Sequence, residues 1–410
     1  MKLSIQYTIW VFLFVSFSAV YSGEDTYLYF SKSHIEQLKG KVNQENLSAD
    51  PYAIQLRNWA DALLKAGPWS IADSNSPSMS KNPNDYYSEG PYWWPDPDNP
   101  GGPYIRRDGE RNPTRFIAHK RMLNKMYQAT FTLILAGYLL DDSRYINHAL
   151  DILGVWFIDP EKRMNPNMDY AQAIPNKSPG RGIGIIDAHR FSKLQEAFYI
   201  LDLSGKWPEK HKTEIKKWFA DFLKWLTTSK NGLDEKKQGN NHTTWWCTLV
   251  AAISRFTGNE QHYQSVYQYL KKDVIKEQIK KNGSMPHEEK RTRSFDYFSF
   301  NLDAFSLVMQ NFFNRGLDLW GYKAGNSGSV KKAVEYFFPY ASKKIKWPYQ
   351  QIVPEKEKAP LFWYWAGKRF KQKQYLDIYK SKMKADKIED IGSSNDPFLL
   401  LINLLVWNNL

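Results

Sequence analysis

Two short stretches hold most of the reactive side chains in this sequence. One is Asn240-Asn241-His242, directly after Gly239. The other is Arg291-Thr292-Arg293-Ser294-Phe295-Asp296-Tyr297. Amide, imidazole, guanidinium and phenol together suit β-elimination on a sugar acid. The proton on the carbon beside a carboxylate is weakly acidic. Removing it puts more negative charge on a group that is already charged, so that carboxylate has to be neutralised first. A base then takes the proton and an acid protonates the leaving oxygen. Asn241, His242 and an arginine are suitable neutralisers, and Tyr297 or His242 can move the protons.

Both stretches fall at expected helix starts. Asn240 or Asn241 can act as an N-cap and present its neighbours to a cavity. Arg293 and Tyr297 are spaced i, i+4 and share a face, while Arg291 lies about a turn and a half from Tyr297. Either arginine fits as the neutraliser. Taken singly, each stretch is more simply read as structure. The asparagines would be caps, His242 a hydrogen-bonded core residue and Tyr297 one of 25 tyrosines. Arg291 or Arg293 would then pair with Glu288 or Glu289 on the surface.

The elements that must position these groups are nearly all helical. Apolar residues recur at i, i+3, i+4, i+7 over 54–64, 121–140, 146–157, 191–203, 215–227 and 245–256. The same period marks 262–279, 295–313, 330–338, 361–370 and 397–407. Alternating apolar and polar runs are few, so little strand is expected. The expectation is an all-α chain: an (α/α) toroid of about six to seven helical hairpins with long active-site loops, residues 23–410 forming one domain. No repeat of fixed period supports the ring, which rests on helix number and short connections.

Two loops break the helical pattern. Residues 73–113 contain Tyr92-Trp93-Trp94-Pro-Asp-Pro and Tyr104-Ile-Arg106-Arg107-Asp-Gly-Glu-Arg111. Residues 164–187 contain Tyr170-Ala-Gln172-Ala-Ile-Pro and Gly180-Arg181-Gly-Ile-Gly. Loops this long are functional or disordered, and so many rings need something to pack on. Aromatic faces stack on sugar C–H faces, arginine forks pair with carboxylates and amides bond hydroxyls. Tyr92, Trp93, Trp94, Arg106, Arg107, Gln172 and Arg181 are therefore candidate substrate contacts, with Asn240, Arg293 and Glu288. The alternative for Trp93 and Trp94 is that they plug the ring.

The 410-residue chain carries a formal net charge of +13 and a pI near 9.3. A basic surface attracts an anionic partner over distance. Residues 1–22 read as an export signal, with Lys2, the apolar run from Ile9 to Val20 and a small-residue site before Gly23. The run is too short to span a membrane. Export argues against nucleic acid and for an acidic polysaccharide, in the periplasm or outside the cell. The single cysteine, Cys247, lies in an apolar helical run and reads as buried structure. The eight histidines are scattered without His-Glu-x-x-His, so neither metal nor cofactor is expected.

Together the motifs resemble the alginate-lyase superfamily of helical-toroid polysaccharide lyases. The matching pieces are Tyr92-Trp-Trp-Pro-Asp-Pro with Pro103-Tyr-Ile-Arg-Arg-Asp-Gly-Glu-Arg-Asn-Pro, then Tyr170-Ala-Gln-Ala-Ile-Pro with Gly180-Arg-Gly-Ile-Gly-Ile-Ile-Asp187. Asn240-Asn-His-Thr-Thr-Trp, Asn282-Gly-Ser and Arg291 to Tyr297 complete the series. Length and the Tyr-Ile-Arg-Arg-Asp-Gly loop look closer to polysaccharide lyase family 38 than to family 5. The resemblance implies that Asn241, His242 and Arg291 neutralise the carboxylate and that Tyr297 transfers protons. Arg293 matches about as well as Arg291.

Stereochemistry refines the expectation. In β-D-mannuronate and β-D-glucuronate the C5 proton and O4 lie on one ring face, so Tyr297 can serve as base and then acid. In α-L-guluronate they are opposed, and His242 would be base against Tyr297 as acid. Mannuronate-rich alginate is the expected polymer, with glucuronan as the alternative. Two rivals remain: a glycoside hydrolase, which needs paired carboxylates, and a non-catalytic polysaccharide-binding protein.

Overall fold

The computed structural model describes residues 28–42, 49–354, 360–383 and 396–409. The segment read as an export signal lies outside them. Helix dominates. In chain order the helices are α1 (Lys32–Lys41), α2 (Pro51–Leu63), α3 (Ala118–Leu139), α4 (Ser143–Phe157), α5 (Phe191–Leu203), α6 (Glu209–Thr228), α7 (Lys230–Lys236) and α8 (Asn241–Thr257). They continue with α9 (Glu260–Tyr269), α10 (Ile275–Gln278), α11 (Pro286–Glu289), α12 (Ser294–Phe313), α13 (Val330–Ala341), α14 (Phe362–Phe370), α15 (Lys373–Ser381) and α16 (Pro397–Trp407). No helix of the described residues is long and apolar enough to cross a membrane.

The expected helices appear at their places, with ends that local capping explains. Asp50, Asp142, Ser229, Asn240, Asn259, Ser329 and Asp396 each accept a backbone N–H from the following first turn. The helix expected over 262–279 is divided by a π-helical turn at Leu270–Val274 between α9 and α10. Helices α1, α7, α11 and α15 have no counterpart in the periodicity. α1 buries only Ile35 and Leu38, and α15 only Tyr375 and Tyr379.

Burial divides the helices into two kinds. Helices α4 and α6 bury one stripe and leave the other wet, as amphipathic outer helices do. Helices α3, α5, α8 and α12 are buried around most of their circumference. α8 packs on α12, α5, α6 and α9, and α3 packs on α4 and α5. Cys247 sits fully buried on α8, where burial pushes its thiol well above the usual range.

The two long loops are more ordered than a plain loop. Strand β1 (Tyr87–Glu89) pairs in parallel with β4 (Tyr170–Ala173), joining the first loop to the second. Strands β2 (Trp93–Trp94) and β3 (Ile105–Arg106) form a small antiparallel hairpin. Close approach explains two glycines. A Cβ on Gly184 would lie 2.4 Å from the Ala171 oxygen of β4. Gly109, at φ +82°, comes so near the start of α12 that a Cβ would lie 2.4 Å from Thr292 Oγ1.

Candidate active site

The N-terminal ends of the four inner helices meet at one cavity of about 590 Å³. Lys120 and Asn124 come from the start of α3, and His189 and Arg190 from the residues before α5. Asn240, Asn241 and His242 open α8, and Arg291, Arg293, Asp296, Tyr297 and Phe300 surround the start of α12. Helix N-termini carry partial positive charge and free N–H groups, so the convergence favours an anion. The loops close the cavity with Tyr92, Trp93, Arg106, Arg111, Gln172 and Arg181.

Each reactive group is held from behind. His242 Nδ1 faces both oxygens of Glu235, at 2.9 and 3.1 Å. A carboxylate acceptor places the proton on Nδ1 and leaves Nε2 for the cavity. Glu235 is fully buried; burial raises its carboxyl above the usual range, against the pull of His242. Asn240 caps the His242 N–H at 3.0 Å. Asn241 donates through its backbone N–H at 2.6 Å and its amide Nδ2 at 2.9 Å to the two oxygens of Glu288. That leaves the Asn241 amide oxygen and one N–H. Burial lifts Glu288 to about 7, opposed by the two Asn241 bonds.

The first loop is pinned across α12. Asp108 accepts Arg291 Nε at 3.2 Å and Nη2 at 2.9 Å. It also takes Arg106 Nη2 at 2.7 Å and Thr292 Oγ1 at 3.1 Å. Burial resists ionisation of Asp108, but the Arg291 bonds prevail and hold it well below the usual carboxylate range. The Arg291 guanidinium carbon lies 3.7 Å from the Tyr297 ring centroid. The Tyr297 hydroxyl meets the Tyr92 hydroxyl at 2.6 Å. Burial pushes the Tyr297 phenol well above the usual range, and Arg291 opposes that push. Arg293 is held by Asp296 at 2.5 and 3.1 Å.

On the opposite wall Asp187 is a fully buried acceptor. It receives Lys120 Nζ at 2.5 Å, Ser88 Oγ at 2.7 Å, Tyr86 at 3.2 Å and Gln172 Nε2 at 3.3 Å. Gln172 adopts φ +46°, a strained backbone for a residue with a side chain. Its carbonyl accepts Arg181 Nε at 2.8 Å. Arg181 stands 5.6 Å from the Trp93 ring centroid, and burial and Arg106 push its guanidinium down to about 10.

Eleven of the fourteen expected site residues therefore line one cavity. Three do not. Trp94 and Arg107 stack on each other at 5.1 Å on the hairpin, and Trp94 Nε1 donates to the Glu110 carbonyl at 3.0 Å. Alternation along a strand turns Trp94 away from the face that Trp93 presents. Glu288, expected as a substrate contact, is 1% exposed and lies behind Asn241. Arg291 and Arg293 pair with Asp108 and Asp296, not with Glu288 or Glu289. The sequence reading missed Arg111, Lys120, Asn124, Arg190 and Gln238 in the lining and Glu235 behind it. Lys120 and Asn124 carry a signal: polar residues at i, i+4 opening a helix that is otherwise buried.

Residues 70–347 match the family model described as alginate lyase. A Bacteroides ovatus alginate lyase superposes with a TM-score of 0.82 at 32% identity, covering 90% of this chain and 99% of that one. Alginate lyase A1-III of Sphingomonas species A1 superposes at 0.51 with 15% identity, over 85% of this chain and 93% of that one, a likeness of fold. A variant of A1-III complexed with a tetrasaccharide gives 0.50 at 15% identity, over 86% and 94% of the two chains. The search of curated proteins gives no match. The chain belongs to the alginate lyase family and is a polysaccharide lyase.

Proposed function

We propose that this enzyme cleaves alginate, with mannuronate-rich blocks preferred, by syn β-elimination. The observation that carries the reading is the stacking of Arg291 on Tyr297, 3.7 Å from guanidinium to ring, with Asn241 and His242 in the same cavity lining. Arg291 spends Nε and Nη2 on Asp108, so the Nη1 donors remain for a substrate carboxylate. Asn241 and the Nε2 side of His242 complete the neutralising set. The same arginine favours the phenolate form of Tyr297. Tyr297 then takes the C5 proton as the base and returns one to O4 as the acid. Arg293 is the weaker candidate for neutraliser, since Asp296 holds its guanidinium while the Arg291 guanidinium stacks on the Tyr297 ring.

The hydrolase alternative fits poorly. It needs two carboxylates flanking the bond. Among the described residues the only carboxylate in the lining is Asp296, held by Arg293. Inner helices buried around most of their circumference and packed on amphipathic α4 and α6 support an (α/α) toroid, and the Tyr-Ile-Arg-Arg-Asp-Gly loop supports placement in polysaccharide lyase family 38. Removal of residues 1–22 on export would place the enzyme in the periplasm. The test is ultraviolet absorbance on alginate, polymannuronate, polyguluronate and glucuronan. Unsaturated product forming fastest on polymannuronate is expected. Saturated ends with no absorbance change would overturn the elimination.

A further inference from the structure

The cavity extends past the reacting groups to residues that the elimination does not use. His189, Arg190 and Asn124 stand there, with Lys120 one turn before Asn124 on α3. The His189 ring meets Phe300 edge-on at 5.7 Å, and Phe300 is three residues past Tyr297 on α12. That is a rise of about 4.5 Å along the helix, one step away from the reacting ring.

Arg190 has no carboxylate at hydrogen-bond distance among the described residues, although its charge acts on Asp396. Its guanidinium carbon lies 5.3 Å from the Tyr127 ring centroid. The nearby carboxylate, Asp396, is already bonded by Lys193 Nζ at 2.7 Å, by the Tyr127 hydroxyl at 2.7 Å and by the Phe398 N–H at 3.1 Å. Arg190 Nη1 is buried and has no hydrogen-bond partner among the described residues. A buried donor left unpaired is unfavourable until something accepts from it. By contrast Arg291, Arg293 and Lys120 each have a carboxylate at hydrogen-bond distance.

His189 complements Arg190. Its Nδ1 meets the Ile186 carbonyl at 2.8 Å, so Nδ1 carries the proton and Nε2 is an acceptor. Burial, with Arg190 and Lys193, pushes this imidazole down to about 3, so it stays neutral. A guanidinium donor, a neutral nitrogen acceptor and the Asn124 amide match a carboxylate with an adjacent hydroxyl.

We propose that Arg190, His189 and Asn124 form a second uronate subsite, in which Arg190 binds the carboxylate of the residue next to the cleaved one. The proposal rests on the lyase reading above and names what sets its demand for a charged neighbour. Arg190 is here a specificity residue; it moves no proton.

The test is the initial rate on mannuronate oligomers from dimer to hexamer, with wild type, Arg190→Gln and Arg190→Lys compared. Arg190→Gln is expected to raise KM about tenfold for the longer oligomers and less than about threefold for the shortest one cleaved, with kcat nearly constant. Arg190→Lys should recover part of the loss, since it keeps the charge without the fork. Asn124→Asp places a like charge at the subsite and should reproduce the length-dependent rise independently of how Arg190→Gln folds. A KM change equal at every length, or none, overturns the subsite. Should no oligomer yield unsaturated product, the lyase reading fails by itself. The subsite is then judged by tryptophan-fluorescence titration with saturated hexamannuronate. Affinity weakened about tenfold in Arg190→Gln supports it, and equal affinity overturns it.

Discussion

Removing one hydroxyl, in Tyr92→Phe, tests whether the phenol of Tyr297 becomes the base, as proposed above. The two hydroxyls are 2.6 Å apart, one on the loop and one on α12. Burial keeps Tyr297 well above the usual phenol range while Arg291 pulls it down. With Tyr297 donating, the pair favours the neutral phenol, and Tyr92 adds to the upward push. Ionisation reverses the bond: only Tyr92 then has a proton to give, and a short O–H···O⁻ bond stabilises the phenolate. A hydrogen bond to a charged group is worth about 1.5–3 kcal/mol. At about 1.4 kcal/mol per decade that is roughly 10- to 100-fold in rate. Tyr92→Phe should therefore lower kcat on polymannuronate by that factor. The ascending limb of the pH–rate profile, where the base loses its proton, should move up by about one to two pH units. The ring itself remains, so KM and melting temperature should change little. Absorbance-based rates across pH and a thermal melt measure all of this. A kcat within about threefold of wild type, or an ascending limb that moves down, would show that Tyr297 stays the donor and refute the argument.

Other substitutions separate the remaining roles. Tyr297→Phe should cost about 10²- to 10⁴-fold in kcat with oligomer binding retained; turnover near wild type in the same absorbance assay would remove Tyr297 from proton transfer. Glu235→Gln keeps the shape behind His242 but loses the charge that fixes its tautomer, so kcat should fall at least about tenfold, with a melting curve close to wild type. Glu288 has a raised carboxyl, about 7 against an ordinary 4.5. Its contribution to stability is full below the ordinary value and is lost as pH rises through about 7, a change of about 3 kcal/mol. Melting temperatures from pH 5 to 8 should therefore fall less steeply in Glu288→Gln than in wild type, and parallel curves would contradict the assignment. Gln172→Gly relieves φ +46° and should leave stability within about 1 kcal/mol while KM rises; an unchanged KM would remove Gln172 from substrate contact.

Much of this was legible in the sequence because period and capping are local. The apolar stripe of α4 and the Asn240 cap at the start of α8 depend on residues a few positions apart. The site residues that escaped notice depend on distant pairs. Nothing near Arg190 announces that Asp396 is already bonded by Lys193, and Asp108 gives no local sign that it closes on Arg291. Trp94, expected as a substrate contact, falls outside the cavity lining because the β2–β3 pairing turns Trp93 and Trp94 to opposite faces. Glu288, also expected as a substrate contact, falls outside it because Asn241 covers it.

The acids of the site follow one rule that bears on mechanism. Glu235, Glu288, Asp108 and Asp187 each sit behind a group that faces the cavity and hold it by hydrogen bonds. Those hydrogen bonds fix orientation before substrate arrives, so the groups need not reorganise as negative charge builds up in the transition state. Arginines with such an acid are held in place but are already partly neutralised. Arg181 and Arg190 have no acid at hydrogen-bond distance among the described residues: Arg181 donates to the Gln172 carbonyl instead, and Arg190 leaves Nη1 unbonded. The division of labour follows from this difference. On the proposed reading the backed groups, Arg291, Asn241 and His242, are rigid enough to serve chemistry at one carboxylate. On the same reading the unbacked arginines gain most when a polymer brings its own carboxylates, so they set affinity for a charged chain more than the rate on a bound one.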